Sequence, residues 1–417
     1  MLKLLYDTSL FLMRQGFSLA SLIHPKAKRW AQGQKQVWQQ PLVSVDGRRT
    51  AWFHCASVGE FEQARPVLEA FREHYPEWRI VLTFFSPSGY ELRKNYEQAD
   101  VVSYLPADTA ENARRFVGSV QPQLVFWVKY EFWYYHLMEL KHRSIPVLLF
   151  SAIFRSDQSF FKPYGGFYRS ILACFSHLFV QNQISVDLLS QIGIKAVTLG
   201  GDTRFDRVIE IAAQAKEFPL VKDFCGDAQV AVGGSIWPED WEVIRNTIFT
   251  KADDKVLKWI IAPHEINEEQ INRWIGDVPV SCVKYSEATP ENVKTAQILW
   301  IDNVGMLSSL YRYGNFAFIG GAYKDGLHNI LEAAVWGMPV FFGNKKYQKF
   351  QEAHDLIALG SAHTITDGTQ FKQIMARLSR EELASESLKS REYVYSKTGA
   401  TDLIMQWVQN WANQTAS

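Results

Sequence analysis

The chain has 417 residues, with 44 Lys+Arg against 44 Asp+Glu, 47% hydrophobic and 21% charged. The apolar content argues against a mostly disordered chain, and the balanced charge against a general nucleic-acid binder, which carries a basic excess. Four widely spaced cysteines (Cys55, Cys174, Cys225, Cys282) without a CxxC pair argue against a disulfide framework and a thiolate zinc site, and fit a reducing compartment.

The charge is unevenly placed. Residues 1–50 hold eight basic side chains against Asp7 and Asp46, a net +6 that leaves −6 for the rest. Residues 2–23 put Lys3, Asp7, Arg14, Ser18 and Ser21 on one helical face, with Leu5, Leu12, Leu19 and Ile23 well away from it. A spanning helix needs about 20 mainly uncharged residues. Lys3, Asp7 and Arg14 argue against a clean span, and Asp7 and Arg14 break the apolar core a cleaved signal needs. With the basic segment His24–Arg29 behind it, residues 1–35 predict an interfacial helix on an anionic lipid surface. Packing against the protein's own domain is the alternative.

From residue 50 onward, short apolar runs alternate with helical stretches. Strands are expected at 50–56, 79–85, 124–129, 146–152, 177–181 and 196–200, then at 229–234, 257–262, 297–301, 316–320 and 340–342. Alternation of buried strands with helices predicts βαβ units and parallel sheets. The reading is α/β: two Rossmann-like doubly wound domains, 36–210 and 211–417, facing a cleft. Residues 206–227 read as a linker, and the helices around 380–413 as packing back.

Ligands of open α/β sheets bind beyond the carboxyl ends of the strands. After the first strand, Ser57 can cap a helix, Gly59 permits close approach, and Glu60 falls in the first turn. There it is either a helix-dipole partner or a general base. Ser86 and Ser88 open the next helix, where free N–H groups can hold an anion or merely turn the chain. Glu131 ends another strand as a second carboxylate. Arg204 can face an anion or pair with Asp202 or Asp206.

In the second half, Gly233-Gly234-Ser235 is a glycine-rich turn without the P-loop pattern, and Pro263-His264 follows the next strand. The fullest unit runs from Gly320-Gly321 through His328 and Asn329 to Glu332. A strand ends in two glycines, a helix is expected from His328 or Asn329 to offer N–H groups to a phosphate, and Glu332 lies where a ribose diol would sit.

Together these segments resemble the 3-deoxy-D-manno-octulosonic acid (Kdo) transferases of lipopolysaccharide assembly, over nearly the whole chain. His54–Glu60 is similar to HxxSVGE, Tyr130–Tyr135 to TELWPN, Gly201–Asp206 to GNxKFD, and Gly326–Gly343 to GGHNxLEPAAxGxPVxxGP. The resemblance implies a GT-B fold, CMP-Kdo as donor, an anionic lipid A precursor as acceptor and Glu60 as general base. It implies CMP contacts at Pro263-His264, at Val304-Gly305-Met306 and at Asn329-Ile330-Leu331-Glu332. Glu131 is then a supporting carboxylate and Arg204 an anion contact. Expected with this are inverting transfer without metal or cofactor, no nucleic-acid partner, and residence on the cytoplasmic face of the inner membrane. Here PRH lacks its Arg, MGE becomes Val304-Gly305-Met306, Asn-Ala-Arg becomes Ser151-Ala152-Ile153, and the Lys of GNxKFD is Arg204. Other GT-B chemistry, transfer from a UDP- or GDP-sugar or sugar-nucleotide epimerisation, is the competing reading.

Overall fold

The computed structural model describes residues 2–39, 46–248 and 257–416. Two compact units emerge: Met1–Arg207 together with Thr398–Ser417, and Val208–Lys397. The first holds β1 (Thr50–Cys55), β2 (Arg79–Phe84), β3 (Val101–Tyr104), β4 (Leu124–Val128), β5 (Val147–Ala152), β6 (His177–Val180) and β7 (Val197–Leu199). The second holds β8 (Gln229–Ile236), β9 (Leu257–Pro263), β10 (Cys282–Lys284), β11 (Ile298–Trp300), β12 (Phe316–Ile319), β13 (Val340–Gly343) and β14 (Ala362–Ile365).

The sheets run β3-β2-β1-β4-β5-β6-β7 and β10-β11-β9-β8-β12-β13-β14. Every pairing is parallel. The cause lies in the apolar runs. Every residue of β1, β2, β4 and β5 is buried, as a strand covered on both faces requires. Alternate side chains then feed opposite layers. Trp52 and Trp127 join one core, while Phe53 and Phe126 join the other, with their rings stacked at 4.2 Å. Each such side chain stabilises the fold by about 1.5–3 kcal/mol.

This parallel α/β frame is the expected one. Three strands were not anticipated: β3, β10 and β14, each at a sheet edge. They have three or four residues and partly exposed positions, so they lack the long apolar run of a central strand. The stretch 206–227, expected as a linker with a charged helical segment before Pro219 and Gly226, begins at the division between the units and is packed structure. Helices span Thr203–Ala213 and Pro219–Cys225, Val221 and Phe224 are buried, and the Phe218 amide donates to the Tyr313 hydroxyl at 2.7 Å. The C-terminal helix Ala400–Ala416 belongs to the first unit, not the second. Asp206 accepts from the Gly399 and Thr401 amides at its N-terminus, both at 2.7 Å, and Ile404 and Val408 enter the first core.

At the N-terminus, α1 (Leu2–Ala20) and α2 (Pro25–Gln36) belong to the first unit. Leu10 is buried, whereas Leu5, Leu12, Leu19 and Ile23 are 57–89% exposed. The apolar face of α1 therefore points outward, while Asp7, on the polar face, accepts from the Tyr135 hydroxyl at 2.6 Å. No helix among the described residues is long and apolar enough to cross a membrane.

Candidate active site

Each sheet has one place where the chain reverses its direction of growth: between β1 and β4 in the first, and between β8 and β12 in the second. Loops diverge there and leave a crevice at the carboxyl ends. The expected site residues fall largely on these two edges.

On the first edge, α3 (Val58–His74) follows β1. Ser57 caps it by accepting the Glu60 amide at 3.4 Å, and the Glu60 carboxylate folds back to accept the Ala56 amide at 2.5 Å. Gly59 is exposed, and a Cβ added there would make only an ordinary contact, 3.9 Å from Ser57 Oγ. Glu60 thus helps to cap the start of its own helix. Burial pushes its carboxyl up to about 7, against the pull of the Ala56 amide and the Lys129 charge.

Glu131 follows β4. Burial, then the charge of Glu60, pushes its carboxyl up to about 8. Its Oε2 is buried with no hydrogen-bond partner. Two carboxylates raised toward neutrality beside one switch point, Glu131 feeling the charge of Glu60, are a candidate acid–base pair. Lys129, whose charge acts on both Glu60 and Asp202, follows β4 at φ +56°, in the left-handed region. Nothing in its sequence context marks it, since a lysine just past a strand is ordinary.

Arg204 lies against Asp202, with Nε at 3.0 Å and Nη2 at 2.9 Å from Oδ2. Asp202 is buried and also accepts from Gln63 at 2.9 Å. Burial works to raise its carboxyl, but Arg204 foremost holds it below the usual range. Ser151, at φ +54°, shares a 3.1 Å hydroxyl contact with Thr203. Ser86 and Ser88 pair with each other at 2.9 Å, and the Ser86 amide donates to the Ala56 carbonyl at 2.8 Å, which brings that loop beside the Glu60 loop. Their helix, Pro87–Arg93, has only seven residues.

The second edge is different in kind. Ser235 sits at φ +54° and Gly321 at φ +92°, where an added Cβ would lie 2.4 Å from the Gly326 carbonyl oxygen. Trp237 stacks on His264 at 4.1 Å and 17°, and donates its indole N–H to His328 Nε2 at 2.9 Å. Burial first, then His264, lowers His328 to about 4. A neutral imidazole that accepts at Nε2 carries its proton on Nδ1, so His328 is a fixed neutral donor. Asp240, which the sequence reading missed, accepts the Trp237 amide at 3.0 Å and the Gly321 amide at 2.8 Å, and burial pushes it up to about 6.

The expected helix from His328 or Asn329 is one turn, Leu331–Ala334. Asn329 occupies the approach to it by bonding Glu332 at 3.1 Å and accepting the Leu331 amide at 3.2 Å. A single turn has little dipole, so an anion here meets individual N–H groups instead. The side chains of Ile330, Leu331 and Met306 are buried in the unit. They reach a ligand only through their backbone. Val304 is 91% exposed, Gly305 turns at φ +89°, and Pro263 closes β9. Among the described residues no three His, Cys, Asp or Glu side chains converge as a metal site.

Two parallel doubly wound units are the expected GT-B architecture. Solved structures agree on the fold. The UDP-GlcNAc 2-epimerase of Neisseria meningitidis superposes with a TM-score of 0.56 at 14% identity, covering 87% of this chain and all of that one. The enzyme of the same name from Methanocaldococcus jannaschii gives 0.52 at 14%, over 83% and 99%. Sequence comparison points to one branch. Residues 27–207 match the 3-deoxy-D-manno-octulosonic-acid transferase (kdotransferase) family. Proteins named 3-deoxy-D-manno-octulosonic acid transferase are 29% identical in Aquifex aeolicus, over 70% of this chain and 75% of that protein, and 25% identical in Rickettsia felis, over 85% and 76%. The chain is thus similar to the Kdo transferases, through the family match over residues 27–207 and relatives of 25–29% identity.

Proposed function

We propose that this enzyme moves Kdo from CMP-Kdo to a hydroxyl of a lipid A precursor, with inversion at the anomeric carbon and without a metal ion. The observation that carries the mechanism is the Glu60–Glu131 pair at the first switch point. A sugar hydroxyl is a poor nucleophile until its proton leaves, and a base is most useful when its pKa lies near the working pH. Glu60, at about 7, meets that demand. Glu131, at about 8, is protonated at pH 7 and so adds no second negative charge to oppose an anionic donor. The acceptor oxygen bonds to the anomeric carbon as the bond to the CMP phosphate breaks, and its proton passes to Glu60.

The leaving phosphate is assigned to the second switch point. Its support is the Gly320-Gly321 backbone, the Ser235 turn and the neutral donor His328. Pro263-His264 and Asn329–Glu332 are the candidate contacts for the rest of CMP. Arg204, held by Asp202, is assigned to an anionic group of donor or acceptor. The exposed apolar face of α1 and the basic residues around it support residence on the anionic surface of the bacterial inner membrane, on its cytoplasmic side.

Full-length enzyme is offered CMP-Kdo and a tetraacylated lipid A precursor in mixed micelles with EDTA, and the product mass is read. A gain of one or more Kdo units is expected. Turnover only with a UDP- or GDP-sugar, or only when a divalent ion is restored, overturns the reading.

A further inference from the structure

The Glu131 loop is held from a direction that the chemistry does not explain. Two separate lines of contact run to it from the N-terminal helical pair. The first is polar. The Tyr6 hydroxyl of α1 donates to Asp108 Oδ2 at 2.5 Å and accepts the Tyr134 amide at 3.1 Å. Asp108 also takes the Tyr135 amide at 2.9 Å, the His136 amide at 2.9 Å and His136 Nδ1 at 2.6 Å. Both Asp108 and His136 are fully buried, and Asp7 accepts the Tyr135 hydroxyl. Three consecutive amides just after Glu131 thus end on a node completed by Tyr6.

The second line is aromatic. Phe17 of α1 stacks on Trp30 of α2 at 4.7 Å, Trp30 meets Phe85 edge-on at 5.9 Å, and Phe85 lies 4.8 Å from Trp133. Trp30 is 5% exposed, so this is packed interior rather than incidental surface contact. The two lines reach the loop at residues 133 to 136. The Glu131 carbonyl is fixed from the other side by the Trp127 indole N–H. The carboxylate is therefore mounted on a short segment clamped at one end by β4 and at the other by α1 and α2.

We propose that the N-terminal helical pair is a positioning device for Glu131, acting through Tyr6 and Trp30, in addition to whatever surface its outer face meets. The proposal rests on the reading of Glu60 and Glu131 as the acid–base pair. A group held by few contacts loses its alignment when one is removed, and misplacement far from the reacting atoms reduces turnover.

The test uses the full chain with Tyr6→Phe, which deletes one oxygen and keeps the ring, and with Trp30→Leu. Amide exchange at Tyr134 and Tyr135 needs no turnover. Exchange should rise about tenfold or more in Tyr6→Phe, and unchanged exchange overturns the proposal. In Kdo transfer, kcat should fall about 3- to 30-fold in either variant, with the KM for CMP-Kdo within about twofold of wild type. The ionisation near pH 8 should move down as Glu131 leaves Glu60. A helix that merely stabilises the unit lowers Tm but leaves the pH profile of kcat in place; that result contradicts the proposal. Wild-type enzyme that turns nothing over, with the exchange response intact, faults the reading of function and not the coupling.

Discussion

The two switch points share a frame and differ in chemistry. Each lies between the first strand of its sheet and the strand at which growth reverses, β1 and β4 in one, β8 and β12 in the other. The first presents two carboxylates pushed up toward neutrality, with the charge of Lys129 acting on Glu60. The second presents glycines, a stacked Trp237–His264 pair and an imidazole held neutral, with Asp240 tying the turn from beneath. The same parallel sheet can position a proton acceptor or cradle a leaving group. The few residues after each strand decide which, because only they reach beyond the backbone hydrogen bonds of the sheet.

That division can be broken at either end. The largest effect is expected from Glu60→Gln, which keeps the shape and the Ala56 contact but cannot take a proton. Its kcat should fall about 10²–10⁴-fold while CMP affinity, measured by calorimetry, is unchanged. A parallel loss of CMP binding would mean that the edges are not separate in function. Next is Asp240→Ala, which strands the Trp237 and Gly321 amides. Unpairing them should cost about 1–3 kcal/mol of stability and weaken CMP binding with little change in the pH profile of transfer.

The smallest effect sharpens the first edge. A carboxyl raised in the folded state favours folding fully below its unfolded value, and that contribution is lost as pH rises through the folded one. For Glu131 the loss falls between about 4.5 and about 8. Glu131→Gln, which never ionises, should therefore raise Tm by about 1–3 °C at pH 8.5 and leave it nearly unchanged at pH 4.5. Equal shifts at both pH values would mean that Glu131 is not strained by burial.

The sequence shows some of this more clearly than the rest. Central strands such as β1 and β4 are legible because they are buried on both faces and read as unbroken apolar runs. Edge strands β3, β10 and β14 pair on one side only and need no such run. Glu60 and Glu131 stand out as carboxylates just past apolar strands. Asp240 does not, because at a helix start it reads as a routine dipole partner; its role depends on Gly321, 81 residues away. Tyr6 is hidden for the same reason: its partners are 102 and 128 residues distant. Ile330 and Leu331 lie within a motif that suggests ligand contact, but the sequence cannot show that their side chains turn into the core.

The central claim is that Glu60 gives up its proton near neutrality in order to take one from the acceptor. The pH dependence of kcat/KM for wild-type Kdo transfer tests it most directly. An acid limb near pH 7 is predicted, absent from the residual activity of Glu60→Gln. A limb at the ordinary carboxylate value near 4.5, or one that survives unchanged in Glu60→Gln, would contradict the account.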